Sequence, residues 1–385
     1  MISRFSFPTR IVFGPDATGE LPNEIKPFSP RHVLIVTDPG VVGAGILEPI
    51  RRMLRDSRIA TTLFDGVSPN PVEADVDRGI TCYREASCDF ILAVGGGSSL
   101  DVGKAVRLRT SNNLPLEEYD ALKGGSEKIS GNMPKMVAVP TTAGTGSEVG
   151  RSTVITPRAT GRKTVIFSPY LIPDVAVCDP KLTMGLPPKL TAATGMDALT
   201  HNIESYLSTN YHPICDAIAL EGVRIAAGNI RRAVEQGGDI EARRAMMMAA
   251  VMGAIAFQKD LGVTHSLAHP LSTVAGLHHG LANATMLPHA MRFNLRYAAG
   301  RLKEVAVRLG VNVNGLSDET AAEKGIERVS DLLREIGIPP SLRDAGVREE
   351  QIPAMASQAI LDGCHLTNPR PCTQEDMVAL YKAAF

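Results

Sequence analysis

Short apolar runs alternate with amphipathic stretches through the first half of the chain. Residues 11–13, 32–37, 61–64, 89–94 and 136–140 are rich in Val and Ile and are bounded by Gly, Pro, Asp or Asn. Runs of that kind predict strands buried on both faces. The stretches 42–57 and 74–86 between them carry helical periodicity, and strand–helix alternation predicts a mostly parallel sheet covered by helices. Near Thr183-Met184-Gly185-Leu186-Pro187-Pro188 the pattern changes. From there it is long, rich in Ala and Met, and helical, with 190–207, 214–234, 240–258 and 320–336 as helices. The expectation is an α/β domain over residues 1–185 and an all-helical domain over 186–385.

Composition narrows what such a chain does. Of 385 residues, 44% are hydrophobic and 21% charged, and the formal net charge of -1 gives no field that draws nucleic acid or an anionic membrane. With 4% aromatic residues and no Trp, base-stacking platforms are not expected. Met1 to Pro8 has no apolar signal core, and no apolar run reaches the roughly 18 residues of a membrane span. Cys82, Cys88, Cys178, Cys215, Cys364 and Cys372 form no C-x-x-C pair, a scatter that suits reduced thiols in the cytoplasm. These features together predict a cytoplasmic protein that handles small molecules, with neither nucleic acid nor membrane as a partner.

Two glycine-rich runs each follow an expected strand. Val94-Gly95-Gly96-Gly97-Ser98-Ser99-Leu100-Asp101 opens a helix. Its glycines let a phosphate approach the backbone, and the helix start offers N–H donors. A tight strand–helix turn accounts for the run equally well, and Ser98 or Ser99 has a helix cap as its alternative role. Pro140-Thr141-Thr142-Ala143-Gly144-Thr145-Gly146-Ser147-Glu148-Val149 combines hydroxyls and glycines suited to a ribose, a phosphate or a base edge; alone it also reads as a solvated loop. Ligands of open α/β sheets bind beyond the carboxyl ends of strands, which makes the pair more telling than either run. Asp38, at the end of the second expected strand, has the chemistry to accept from ribose hydroxyls and to repel a 2′-phosphate, favouring NAD over NADP. It precedes the glycines rather than following them, and capping a turn or helix is its competing role.

The second half concentrates histidine. Gly195-Met196-Asp197-Ala198-Leu199-Thr200-His201 puts Asp197 and His201 four apart on one helix face. Then come Gly262-Val263-Thr264-His265-Ser266-Leu267-Ala268-His269-Pro270 and Gly276-Leu277-His278-His279-Gly280. Five of the nine histidines lie in these segments. Singly, each reads as a hydrogen-bonded core residue. Together, in Ala- and Leu-rich surroundings, one carboxylate with three imidazoles suits Fe²⁺ or Zn²⁺, and burying such groups without a metal or a dedicated network is costly.

These motifs resemble the iron-containing (group III) alcohol dehydrogenases nearly end to end. The likeness runs from Phe7-Pro8-Thr9-Arg10-Ile11-Val12-Phe13-Gly14 through the glycine runs to His279-Gly280-Leu281-Ala282-Asn283-Ala284. It implies a Rossmann-like NAD-binding α/β domain and an all-α metal and substrate domain, the architecture of dehydroquinate synthase. It implies Asp197, His201, His265 and His279 as ligands of Fe²⁺, Zn²⁺ or another divalent metal, with His269 near the nicotinamide. For NAD it implies Asp38, Asn70, Lys163, and Gly96, Gly97 and Ser98 at the pyrophosphate; Asp101 belongs to the same loop. Thr141, Thr142, Thr145 and Ser147 would line the adenosine or ribose. The implied reaction is reversible hydride transfer between a small primary alcohol or aldehyde and NAD, in a homodimer or larger homo-oligomer. His269, one turn beyond a ligand, has either a proton relay or an orienting role.

The chain departs from the family at Gly150-Arg151-Ser152, and Cys364 and His365 have either pocket lining or plain packing as their role. Alternatives on the same architecture are a glycerol dehydrogenase-like or maleylacetate reductase-like enzyme, or a non-catalytic nucleotide-binding assembly protein. A charged substrate would need a cation such as Lys259, Arg151 or Arg370.

Overall fold

The computed structural model describes residues 9–385, so Phe7 and Pro8 of the opening motif lie outside the described residues. They form two compact units: residues 9–142 with Gly146–Gly185, and Ala143–Thr145 with Leu186–Phe385.

The first unit runs β1 (Arg10–Phe13), α1 (Leu21–Ile25), β2 (Val33–Val36), α2 (Pro39–Gly43), α3 (Leu47–Asp56), β3 (Thr61–Phe64), α4 (Glu73–Glu85) and β4 (Phe90–Gly95). It continues with α5 (Gly97–Arg109), β5 (Lys135–Pro140), β6 (Ser152–Ile155), β7 (Thr164–Phe167) and β8 (Val175–Cys178). Six strands make one sheet in the order β1-β8-β5-β4-β2-β3, every pair parallel, and β6 and β7 form a separate antiparallel pair. Alternate residues of the sheet feed two different cores. Leu34, Val36, Ile91, Ala93, Met136 and Ala138 pack with residues of α4 and α5, while Val33, Ile35, Leu92, Val94, Val137 and Val139 pack with residues of α1 and α3. Both faces are dry, which is why these strands read as continuous apolar runs. The expected helix 42–57 is two helices, α2 and α3, with Ala44-Gly45-Ile46 between them.

From β2 the chain steps to β3 on one side and to β4 on the other. The strand order therefore reverses between β2 and β4. The carboxyl ends of these two neighbours carry Asp38 and the Gly95–Ser99 run, the place where a parallel sheet opens a crevice for ligands.

The second unit contains no strand among its described residues. It comprises α6 (Pro188–Leu207), α7 (Pro213–Glu235), α8 (Ile240–Ala256), α9 (Val263–Val274), α10 (His279–Arg308), α11 (Asp318–Glu335), α12 (Ile352–Ala359) and α13 (Gln374–Ala384). Every residue of α6 from Thr191 to Leu207 is buried, as expected of a helix packed on all sides by α7, α8 and α10. One side of α6 is keyed by Asn202, whose amide donates to Ala198 O at 2.8 Å and to Ala249 O on α8 at 2.9 Å. A second core joins α9, α10, α12 and α13. Among the described residues no single helix is long and apolar enough to cross a membrane.

The Asn202 key leaves no room on α7. A Cβ at Gly222 would stand 1.9 Å from Asn202 Oδ1. Gly222→Ala is expected to cost about 1–3 kcal/mol through overpacking. In a thermal melt that is a midpoint lower by at least about 2 °C; an unchanged melt would show that Asn202 moves aside freely.

Candidate active site

The sheet places the two glycine-rich loops. Asp38 is the N-cap of α2, its Oδ1 accepting from the Val41 N–H at 3.1 Å. Its Oδ2 accepts from the Ser99 hydroxyl at 2.7 Å. Asp38 thus has the capping role and still stands beside the glycine loop. Gly95 makes this contact possible: its φ is +151°, and a Cβ there would lie 2.5 Å from Ser99 Oγ and 3.1 Å from Asp38 Oδ2. Gly96 is the N-cap of α5 and supplies no side-chain cap, so the first N–H groups of that helix stay available to an anion.

The second loop lies against the first. Thr141 N–H donates to Gly95 O at 2.9 Å, and Thr142 Oγ1 stands 3.5 Å from the point where a Gly96 Cβ would sit. Ser98 Oγ donates to Pro69 O at 2.7 Å, which ties the glycine loop to the half-buried Asn70 segment. Gly96, Gly97, Ser98, Thr141 and Thr142 are therefore gathered at one end of the sheet. Thr145 belongs to the helical unit.

Asp101 and Ser147 are brought together differently. Asp101 is buried, its Oδ1 accepting from Ser147 Oγ at 2.6 Å and its Oδ2 from Val154 N–H at 3.0 Å, so one oxygen braces α5 against the second loop and the other against β6. Lys163, just before β7, acts on Asp101 through its charge. Nearby, Lys104 is fully buried and donates to the carbonyls of Gly150 and Ser152 at 2.8 and 2.9 Å, and burial pushes its pKa down to about 8. Burial likewise pushes Glu148 up to about 7. The Gly150-Arg151-Ser152 departure is accommodated by backbone: two of its carbonyls are what Lys104 holds.

In the helical unit, α6 presents Asp197, His201 and Glu204 on one face, at positions i, i+4 and i+7. The first turn of α10 approaches that face closely, because Gly280 lets its backbone in. A Cβ on Gly280 would fall 2.3 Å from Ala193 O and 3.3 Å from Asp197 Cβ. The ligand-capable atoms of Asp197, His265 and His279 all lie within 4.8 Å of one another. His279 Nε2 is 3.6 Å from Asp197 Oδ1, and His201 Nε2 is 4.0 Å from that same oxygen. The His201 ring stacks on His265 with centroids 4.7 Å apart.

Tautomers follow from the hydrogen bonds. His265 Nδ1 lies 2.6 Å from Glu204 Oε2, so Nδ1 carries the proton and Nε2 is an acceptor. Glu204 also accepts from the Thr264 N–H at 2.6 Å. The Asn283 amide nitrogen stands 2.7 Å from Asp197 Oδ1, 3.1 Å from His265 Nε2 and 3.2 Å from His279 Nε2. Asp197 Oδ1, the His265 acceptor nitrogen and a ring nitrogen of His279 thus converge on one amide nitrogen. A surplus of lone pairs in a buried place is the donor chemistry a divalent cation requires. His201 keeps its ring neutral in this setting, burial pushing its pKa down to about 4 despite the Asp197 charge. One carboxylate and three imidazoles therefore fit an ion such as Fe²⁺ or Zn²⁺. His278 is the N-cap residue of α10, and His279 is the one that joins the group.

His269 stands apart from those four. Its Nδ1 lies 2.7 Å from Asp362 Oδ2, and its ring stacks on His279 at 5.4 Å between centroids. Asp362 also accepts from Ser266 Oγ at 2.9 Å and the Cys364 N–H at 2.8 Å. Burial opposes the Asp362 charge, but His269 and these donors outweigh it and hold the carboxyl far below its usual range. Cys364 has its thiol pushed well up by burial, and His365 bonds the Ile360 carbonyl through Nε2 at 3.1 Å and the Ser266 hydroxyl through its backbone N–H at 2.9 Å. Lys259 pairs with Asp216 at 2.6 Å, Arg370 with Asp376 at 2.9 Å, and Arg151 lies over the Phe167 ring. Glu204, Asn283 and Asp362 are the polar residues at this centre to which the sequence analysis assigns no role. The one signal for Glu204 is its i+7 spacing from Asp197; Asp362 is distant in sequence and has none.

Comparison with known proteins identifies the family. A family model described as iron-containing alcohol dehydrogenase matches residues 8–180, and one described as the C-terminal part of the Fe-containing alcohol dehydrogenase family matches residues 191–385. The chain is 39% identical over 376 residues to 1,3-propanediol dehydrogenase of Klebsiella pneumoniae, covering 97% of this chain and 96% of the relative. It is 35% identical to NAD-dependent methanol dehydrogenase of Bacillus methanolicus, with 100% of both chains covered. A crystal structure of 1,3-propanediol oxidoreductase superposes with a TM-score of 0.96 at 39% identity, covering 100% of each chain.

The neutral His201 has a consequence for acid stability. Its pKa is about 4 when folded, against an ordinary value of 6.5. The unfolded chain binds the extra proton first, so this contribution is whole above pH 6.5 and is lost as pH falls through about 4. In denaturant titrations of metal-free protein, the midpoint should drop less between pH 7 and pH 5 in His201→Gln than in the unsubstituted chain. Equal drops would mean that His201 is already charged when folded.

Proposed function

Since the chain belongs to the iron-containing alcohol dehydrogenase family, we propose that it is a metal-dependent, NAD-linked alcohol dehydrogenase interconverting small primary alcohols and aldehydes. The observation that carries this reading is the convergence of ligand atoms of Asp197, His265 and His279 within 4.8 Å of one another, with His201 Nε2 4.0 Å from the same Asp197 oxygen. On this reading residues 1–185 are the NAD-binding domain and 186–385 the metal and substrate domain.

When bound, a divalent ion supplies Lewis-acid polarisation of the substrate oxygen and NAD supplies the hydride acceptor. Asp197, His201, His265 and His279 hold the ion. Gly96, Gly97 and Ser98 offer the helix start to the pyrophosphate. Asp38 takes the adenosine ribose, with Asn70, Thr141, Thr142, Thr145, Ser147 and Lys163 lining the rest, and Asp101 serves by holding Ser147. His269 has Nδ1 committed to Asp362, so Nε2 is the atom that accepts the hydroxyl proton of the alcohol. The carboxylate pairing of Lys259 and of Arg370 favours an uncharged substrate. A homodimer or larger homo-oligomer in the cytoplasm completes the reading, and none of the six cysteines forming a disulfide is consistent with a reducing compartment.

The test is NADH oxidation with a panel of short aldehydes after anaerobic loading with Fe²⁺ and, separately, Zn²⁺. Turnover should require the metal, and Asp197→Ala and His279→Ala should reduce it to the level of the metal-free protein. A folded protein that binds NAD and metal but turns over none of the panel would favour a different reaction on this fold or a non-catalytic binding role. Cofactor choice gives a second check. Asp38→Gly should raise kcat/KM for NADPH relative to NADH by about tenfold to a hundredfold, since about 1.4 kcal/mol of relieved repulsion is worth tenfold. An unchanged ratio would remove Asp38 from the ribose.

A further inference from the structure

Helix α9 carries two histidines four residues apart, and each donates its Nδ1 proton to a different buried carboxylate. His265 is held by Glu204, from α6, at 2.6 Å; His269 is held by Asp362, just after α12, at 2.7 Å. The two devices look alike and serve different atoms. With Nδ1 occupied, His265 Nε2 faces the group formed by Asp197 and His279, as its approach to Asn283 shows. His269 lies outside that group and belongs instead with Asp362 and Cys364.

Their surroundings differ as well. Glu204 is 4% exposed, and its bonds all go to the start of α9: the Thr264 N–H, the His265 N–H at 3.3 Å and the His265 ring. It therefore fixes both the rotation of the imidazole and the helix turn that bears it. Among the described residues no lysine or arginine hydrogen-bonds Glu204, and two neighbouring buried carboxylates, Glu204 and Asp197, share one region. A buried anion without an opposite charge is costly, and a divalent ion balances two of them. Asp362 is satisfied differently: by His269, the Ser266 hydroxyl and the Cys364 N–H, none of which is a candidate ligand of the first group.

We propose that Glu204 and Asp362 are positioning residues with divided tasks, Glu204 setting how tightly the metal is held through His265, and Asp362 setting turnover through the orientation of His269. This rests on the metal-dependent dehydrogenase reading above. Carboxylates behind metal-bound histidines fix the tautomer and raise ligand basicity, and losing one typically costs about 10–100-fold in metal affinity or activity. Asp362 fixes which nitrogen of His269 is the acceptor, so its loss affects the reaction and not the ion.

Cobalt(II) serves as the probe: its dissociation constant is measured by competition with a chromophoric chelator, its stoichiometry by titration, and its site by the visible spectrum. Glu204→Gln should weaken cobalt binding by about 10–100-fold, and Glu204→Asp, which keeps the charge, should recover part of it. Asp362→Asn should leave the cobalt constant within about twofold and the spectrum unchanged, while kcat falls about tenfold or more and KM for the aldehyde changes less. Far-UV circular dichroism and melting of the metal-free variants guard against misfolding, for which Glu204→Asp provides the milder substitution. Glu204→Gln holding cobalt as tightly as the unsubstituted protein, while Asp197→Ala does not, would overturn the assignment of Glu204 alone. Two cobalt equivalents in the unsubstituted protein, with one lost in Asp362→Asn, would make His269, Asp362 and Cys364 a second metal site and overturn the assignment of Asp362. A protein that takes up no cobalt at all would overturn the dehydrogenase reading and this proposal with it.

Discussion

Burying an anionic helix face is the constraint from which the helical unit follows. Along α6, Asp197 and Glu204 are both nearly inaccessible, and a carboxylate in that state must find donors or a cation. Each remedy recruits another element. Glu204 draws in the N-terminus of α9, Asp197 draws in Asn283 from α10, and the backbone of α10 reaches α6 only because residue 280 has no side chain. The imidazoles then arrive as the remaining acceptors. The packing and the donor set are one arrangement, in which the interior is polar where an ion is to sit and apolar where α9, α10, α12 and α13 meet.

The α/β unit answers to a different demand. Its parallel strands are covered on both faces, so the faces offer no room and the strand ends are where loop backbone is presented. At the reversal between β2 and β4, one carboxylate, one serine and one glycine without a Cβ interlock. That small knot sets the position of the helix start at Gly97. Asp38 is there both a cap and an anchor for the glycine loop, one oxygen taking the Val41 N–H and the other the Ser99 hydroxyl.

Local pattern made five of the six strands of the main sheet and both His-bearing motifs legible in the sequence. It was blind to β8, whose four residues lie between Pro173-Asp174 and Asp179-Pro180, although that strand is an interior one bonded on both sides. It was blind as well to the β6–β7 pair, too short to show alternation. The same limit explains the site. Asp197 and His201 announce themselves by spacing within one helix, whereas Asp362 meets His269 across 93 residues of chain. Residues 42–57 read as one helix because periodicity does not register a single glycine turn.

Asn202 fixes α6 from one side. Its amide is bonded to its own helix and to α8, from the side of α6 away from Glu204 and the ligand pair. A helix keyed in that way can neither rotate nor slide without breaking a buried hydrogen bond. The spacing of Asp197 and His201 is thus inherited from packing rather than imposed by an ion. For an ion held as proposed, such a frame would offer donors already in place, so capture and release would be matters of access and ligand exchange, with the folding of the helix settled beforehand.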